Sequence, residues 1–518
     1  MKFFFSVFFI LVCCGFGYYA EGQVMFQKAY GGNGNDHAYS VELTNDGGYI
    51  IVGTTTSFGA GSFDVYLIKA NLNDSVQWTK TFGGVHDDLG YAVSQTSDGG
   101  YIITGYSDIN GTGYYDAFLL KTDSSGNEMW SKSYGSSYYD VGYSVAQTSD
   151  NGFLFVGSTG PNNMLVIKTD ALGDTIWTRT FDSGNGNASG YSVKQTMDGG
   201  YIITGYMDVI YSAICLIKID DNGNIVWVNT YSGSMGESGR DVIQASDSGY
   251  IVTGTTHSFG VDQWGDICLI KTDINGMLTW AKTYGTSYQE TGYSIQQTSD
   301  GGYIVVGSRG NFPQNIANVH LIKTDNLGDT LWTKLFGRMH DDKCYSVKQA
   351  LDGSYILAGY SMSIGSDFYL IKTDSNGNSN CNVKDSEVIV TSPIFQVSAP
   401  VIFIGSGLNV TSLTFISGTG GTLVDLCSVG IQELIIAKTF SLSPNPATTH
   451  FTFTTDQTIT DGIIEILNSL GQKVFEQVLP GFENLVSLPS DISPGIYFVK
   501  LTADEKFYSQ KLIVASRN

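Results

Sequence analysis

The chain has 518 residues, 42% of them apolar, which is length enough for more than one domain and apolar content enough for a large core. Its formal net charge of −22 argues against binding a phosphate backbone and suits solubility, cations or neutral polymers. Only 15% of residues are charged, whereas glycine (63) and tyrosine (31) are plentiful, which favours half-buried strands joined by tight turns over long solvated helices.

Residues 3–16 are almost wholly apolar, follow Lys2, and lead into Ala20-Glu21-Gly22, so residues 1–22 read as a signal peptide cleaved before Gln23. The stretch is too short for a good membrane span, and no later segment has the length of a transmembrane helix. A lipoprotein signal through Leu11-Val12-Cys13-Cys14 is an alternative, weakened by a cysteine where a small residue belongs. The mature protein is expected to be exported and soluble. Of the five cysteines left after cleavage, Cys215, Cys268 and Cys344 fall inside repeat strands. Cys381 and Cys427 bracket an irregular insert and form the candidate disulfide.

A unit of about fifty residues then recurs, its central aromatic falling at Tyr49, Tyr101, Phe153, Tyr201, Tyr250, Tyr303 and Tyr355. Such a period signals a repeat that buries its apolar faces only against its neighbours. Within the second copy, four strand-like runs begin near Tyr91, Tyr101, Asp116 and Trp130. Asp98-Gly99-Gly100 suits a tight hairpin, and Asp123 followed by Gly126 suits a type I turn with a glycine bulge. Four antiparallel strands per copy make a propeller blade. The outer-strand pattern of Trp78, Trp130, Trp177, Trp227, Trp280 and Trp332 is missing from the seventh copy, yet a similar run, Phe26-Gln-Lys28-Ala-Tyr30, precedes the first. The predicted fold is therefore all-β: a seven-bladed β-propeller over residues 23–380, closed by the N-terminal strand at Phe26. The six tryptophans are expected to dock on neighbouring blades.

Connections after the second and fourth strands vary most and open on one face, where function is expected. On that face, acids recur at the start of the first strand (Asp36, Asp88, Asp140, Glu237, Glu290, Asp342) and of the third (Asp64, Asp116, Asp266, Asp367). The favoured role for such acids is to accept N–H bonds from their own loops. A ring of ligands for calcium, or of acceptors for carbohydrate, is the functional alternative. Asp36-His37, His86-Asp87-Asp88 and His340-Asp341-Asp342 occupy the same loop in three consecutive blades, a set that suits a transition metal or acid–base chemistry should the loops converge. Trp264 lies on a loop outside the repeat pattern and is a candidate contact for a sugar or peptide. The Asp98 turn resembles the Asp box of sialidases and the Asp123-to-Trp130 spacing resembles the tryptophan-docking turn of quinoprotein dehydrogenases, but both resemblances concern turns rather than active sites.

Residues 381–438 lose the period and read as a β-rich spacer, with strands at Val401-Ile-Phe-Ile and Leu413-Thr-Phe-Ile. Residues 439–518 alternate apolar strands with turns, as in a small immunoglobulin-like β-sandwich. Their Ser443-Pro444-Asn445-Pro446, Leu470-Gly471-Gln472 and Gly495-Ile-Tyr497-Phe-Val segments resemble the type A C-terminal sorting domain of the type IX secretion system. The resemblance implies passage through that machinery to the medium or the outer cell surface; the repeats likewise resemble those of secreted bacterial propellers. The favoured function is non-enzymatic: binding of a glycan, peptide or surface partner through the variable face. The alternative is an extracellular polysaccharide hydrolase or lyase working through the His/Asp loops of blades 7, 1 and 2.

Overall fold

The computed structural model describes residues 25–515 apart from 72–74, 109–113, 185, 262–263, 312–315, 339, 406–407, 414, 427–440, 455–460, 469–472, 481–484, 490–491 and 504–505. The expected signal peptide and Cys427 lie outside the described residues. Two compact units divide the chain, Met1–Cys427 and Ser428–Asn518.

Blade 2 shows how one repeat folds. Its strands Asp88–Gln95, Tyr101–Ser107, Asp116–Thr122 and Glu128–Gly135 pair antiparallel in chain order. Gly99 turns the first hairpin at φ +82°, and Asp98 accepts the Gly100 amide at 2.9 Å. Lys121, buried at the end of the third strand, sends its ammonium to Asp98 at 2.9 Å and to the Thr122 carbonyl at 2.8 Å. A buried ammonium is tolerable only with such partners. The repeated Asp-Gly-Gly and Leu-Ile-Lys runs are thus two halves of one ion pair, found again as Lys69–Asp46, Lys168–Asp150, Lys218–Asp198, Lys271–Asp247 and Lys323–Asp300. Neighbouring blades are tied by the first-strand glutamines: Gln147 accepts the Ser97 amide at 2.7 Å, and Gln195 the Ser149 amide at 3.1 Å.

Among the described residues seven sheets of this kind are found, in an all-β, repeated-blade architecture. First strands of successive blades touch, and the seventh, Asp342–Gln349, touches the first, Asp36–Leu43. The sheet of blade 7 takes as its fourth strand Phe26–Gly31, which pairs with Asp367–Thr373, Phe26 lying opposite Lys372. Apolar cores fill the spaces between adjacent sheets, each drawing on both neighbours.

Each sheet has five strands rather than the expected four. The fifth comes from residues 383–425, which the sequence suggested to be a spacer. Three- and four-residue strands, beginning with Val383–Asp385 and Ile389–Thr391 and ending with Ile416–Gly418 and Thr422–Asp425, lie antiparallel on the outer strands of blades 6, 5, 4, 3, 2, 1 and 7 in that order. Between strands this belt inserts apolar side chains into the inter-blade cores: Val388, Phe395, Ile402, Leu408 and Phe415. The expected strands at 401–404 and 413–416 fall instead at Phe403–Gly405 and Ile416–Gly418, because pairing with the blade edges sets their bounds. Cys381, at the start of the belt, is disulfide-bonded, and its sulfur lies 3.3 Å from the carbonyl oxygen of Leu426. Cys215, Cys268 and Cys344 are buried free thiols.

The C-terminal unit pairs a three-stranded sheet (Ser441–Ser443, His450–Thr454, Leu485–Ser487) with a four-stranded one (Lys473–Pro480, Asp461–Leu467, Gly495–Ala503, Lys506–Val514). One core, including Phe451, Ile464, Val499 and Leu512, lies between them.

Candidate functional site

Every first strand carries a bulge at the same place: the register skips one residue, as between Gly142 and Ser144. A bulge re-aims the side chain of its extra residue. The seven skipped residues are Tyr39, Tyr91, Tyr143, Tyr191, Arg240, Tyr293 and Tyr345. They meet at six of the seven blade junctions, the exception being that between Arg240 and Tyr293. Ring centroids lie 5.5 Å apart for Tyr345–Tyr39, 5.0 Å for Tyr39–Tyr91, 5.5 Å for Tyr91–Tyr143 and 5.2 Å for Tyr143–Tyr191. The Arg240 guanidinium lies 4.4 Å from the Tyr191 ring, and Tyr293 lies 4.8 Å from Tyr345. All seven are half-buried, so solvent reaches them. Burial raises the Tyr39 and Tyr191 hydroxyls to about 12, the latter despite Arg240 beside it, and keeps them neutral donors.

A second aromatic tier leads outward. Tyr91 meets Tyr106 at 5.9 Å, Tyr106 meets Tyr115 at 4.4 Å, and Tyr115 meets the exposed Tyr139 at 5.4 Å. Sequence reasoning singles out none of the seven first-strand residues as a functional residue. The available signal was the one departure among them, an arginine in the fifth copy.

The acids singled out from the sequence sit at the same end of each blade but face inward. Asp36 accepts the Gly32 amide at 2.9 Å and the Ser57 hydroxyl at 2.7 Å. Asp88 accepts the Gly84 amide at 2.6 Å and the Ser107 hydroxyl; Asp342 accepts the Arg338 amide at 2.8 Å and the Ser363 hydroxyl at 3.2 Å. Each of these three carboxylates is buried and takes the amide four residues upstream. Third-strand acids of one blade approach first-strand acids of the next over a glycine: a Cβ on Gly83 would stand 1.9 Å from Asp64 Oδ1 and 3.0 Å from Asp88 Oδ2.

The histidines do not join these acids in a common site. His37 stacks on Tyr360 at 4.2 Å and contacts the Ser366 hydroxyl at 2.8 Å through Nε2, while burial, opposed by Asp36, lowers its pKa. His86 and His340 are exposed. Among the described residues no three His, Cys, Asp or Glu side chains gather as a group that could hold a metal ion. Trp264 is exposed on its loop. The tryptophans Trp78, Trp130, Trp177, Trp227, Trp280 and Trp332 are half-buried, each lying against a turn glycine of the next blade: Gly126, Gly173, Gly223, Gly276, Gly328 and Gly377.

The paired acids make a pH prediction. Burial, with a second carboxylate adding to it, raises Asp88 and Asp116 to about 6, Asp367 to about 7 and Glu290 to about 8. These groups hold protons more tightly when folded, so their contribution to stability is greatest at low pH and is lost as pH rises toward those values. Asp46, Asp98, Asp150 and Asp300 behave oppositely: burial is outweighed by hydroxyl, lysine and amide partners that hold them at about 2, and their stabilisation is lost below the ordinary carboxylate range. Melting temperature should therefore peak near about pH 5, falling toward pH 8 and below pH 4. Thermal melts across pH 2–9 check this, and a rise from pH 5 to pH 8 would contradict it.

Residues 441–515 match the family described as the secretion system C-terminal sorting domain. The C-terminal unit is a type IX sorting domain. This sorting domain engages the type IX machinery and directs the chain to the cell surface or the extracellular space. No helix among the described residues is long and apolar enough to cross a membrane. No curated protein matches the chain. Solved structures similar to it include Sqt1 from Chaetomium thermophilum, 12% identical over 64% of this chain and 81% of that one, with a TM-score of 0.40. Another is the periplasmic gluconolactonase PpgL of Pseudomonas aeruginosa, 13% identical over 68% and 98%, with a TM-score of 0.42.

Proposed function

We propose that the seven blades form a closed β-propeller sealed by the strand at Phe26, exported through a signal peptide at residues 1–22 and the type IX route. It acts as a non-enzymatic binding module for an extracellular glycan. Its binding face is the one that carries the variable loops and the bulged first-strand residues. The observation that carries this reading is the set of six tyrosines and one arginine on the seven first strands, half-buried and in contact at six of the seven blade junctions. Neutral phenols on adjacent strands offer both flat apolar faces and hydroxyl donors, the combination that ligand sites use to hold and orient a polar ring. We also propose that Cys381 pairs with Cys427, the cysteine beside Leu426, which would join the two ends of the belt.

Affinity electrophoresis through gels containing xylan, pectin or pullulan tests the function, with a reducing-end assay on the same mixtures. At least one polymer should retard the protein without new reducing ends. Tyr91→Ala with Tyr143→Ala should weaken that binding about tenfold or more while the melt stays cooperative. New reducing ends that vanish in His86→Ala with His340→Ala would establish the hydrolase or lyase instead.

A further inference from the structure

We infer that Arg240 binds the carboxylate of a single acidic sugar residue carried on an otherwise neutral glycan. This rests on the loop-bearing face being the binding face and names the chemistry that face would select.

Arg240 replaces tyrosine in one copy of seven, at the bulged position that the other six copies fill with tyrosine. Its guanidinium covers the Tyr191 ring at 4.4 Å. Its Nε is buried and has no hydrogen-bond partner, and no carboxylate pairs with the guanidinium among the described residues. The adjacent carboxylate is committed elsewhere. Asp241 accepts the Ser192 hydroxyl at 2.7 Å, the Ser294 hydroxyl at 3.2 Å, and the amides of Val242 and Ile295 at 3.0 Å. The nearby Lys348 is likewise taken, by Glu42 at 2.8 Å. A guanidinium presents a planar fork that matches a carboxylate, and this one, in a chain of net charge −22, has only Tyr191 beside it and no carboxylate partner among the described residues.

Two observations choose the anion's carrier. Tyrosines in tilted contact run from these first-strand rings out to Tyr139, a surface suited to successive flat, hydroxyl-bearing rings. Peptides, by contrast, are commonly captured by adding a strand to an open sheet edge, and the belt already occupies the outer edge of all seven blade sheets. The overall negative charge disfavours a polyanion and leaves a sparsely acidic glycan.

Isothermal titration of the purified full chain compares three probes: a xylotriose bearing one glucuronic acid, neutral xylotetraose, and the peptide acetyl-Gly-Gly-Glu. The acidic sugar should bind about ten- to hundredfold tighter than the neutral one. Arg240→Tyr, which installs the residue of the other six copies, and Arg240→Gln should both abolish that preference, with melts confirming the fold. Equal binding of both sugars, unmoved by either substitution, overturns the carboxylate assignment and leaves the binding face standing. Arg240-dependent binding of the peptide alone overturns it in favour of an acidic polypeptide. If neither sugar binds while xylan, pectin and pullulan also fail to retard the protein, both readings fall.

Discussion

A chain ending at Asn380 should aggregate or elute as a soluble oligomer, whereas one ending at Cys427 should remain a cooperative monomer. The difference is the belt. Its strands supply main-chain partners to the outer strand of every blade sheet, as where Val410 lies opposite Tyr134 and Val390 opposite Tyr284. Hydroxyl pairs reinforce the contact, with Ser133 and Thr411 at 2.7 Å and Thr283 and Thr391 at 2.6 Å. Without them, seven unpaired edges present themselves to other molecules, which is how sheet proteins aggregate. The apolar side chains that the belt inserts between blades add on the order of 10 kcal/mol of burial before the cost of ordering the segment is subtracted. A smaller change isolates one of them: Phe395→Ala, at a site 3% exposed, should cost about 3 kcal/mol. Size-exclusion chromatography and thermal melts decide the matter. A soluble, monomeric 380-residue chain with an unaltered melt would show that the belt is incidental.

Gly173→Ala should destabilise the blades by about 2–5 kcal/mol, well beyond the loss from Gly199→Ala. Both glycines sit at positive φ, +79° and +84°, so each alanine meets the same left-handed backbone penalty of about 1–2 kcal/mol. Their surroundings differ. A Cβ on Gly199 meets nothing within 4 Å, whereas one on Gly173 would stand 2.7 Å from the Trp130 ring of the preceding blade. The same turn is held from a second side, because the buried Tyr134 hydroxyl donates to the Gly173 carbonyl at 2.6 Å. Removing the ring should relieve the clash, so Gly173→Ala should cost less in a Trp130→Ala background than in the parent. Urea melts of the four chains give that coupling directly. Additive losses would mean that the ring and the turn do not press on each other.

Much of the architecture was legible because the repeat is written seven times. The Asp98 turn, the Lys121 strand and the Trp130 strand each announce a local structure, and an N-terminal run resembling an outer strand announces where it pairs. The belt was less visible. Its apolar residues Val388, Phe395, Ile402, Leu408 and Phe415 follow a period near seven, but a three-residue strand has too little pattern of its own to be told from a loop. The same limit applied to the site. His86 and Asp88 look like a catalytic pair on paper, yet the backbone turns Asp88 inward to the Gly84 amide and leaves His86 in solvent.

Local chemistry explains the division. Sequence by itself determined the strands, the turns and the sorting tail, because alternation, glycine at positive φ and a characteristic motif act over a few residues. Tertiary structure alone decided which side chains meet. Seven bulges, each a one-residue slip that depends on pairing between two strands, aim six tyrosines and Arg240 at one another across some three hundred residues of chain. No residue's neighbours in sequence reveal that, since the contacts exist only once every blade has packed against the next.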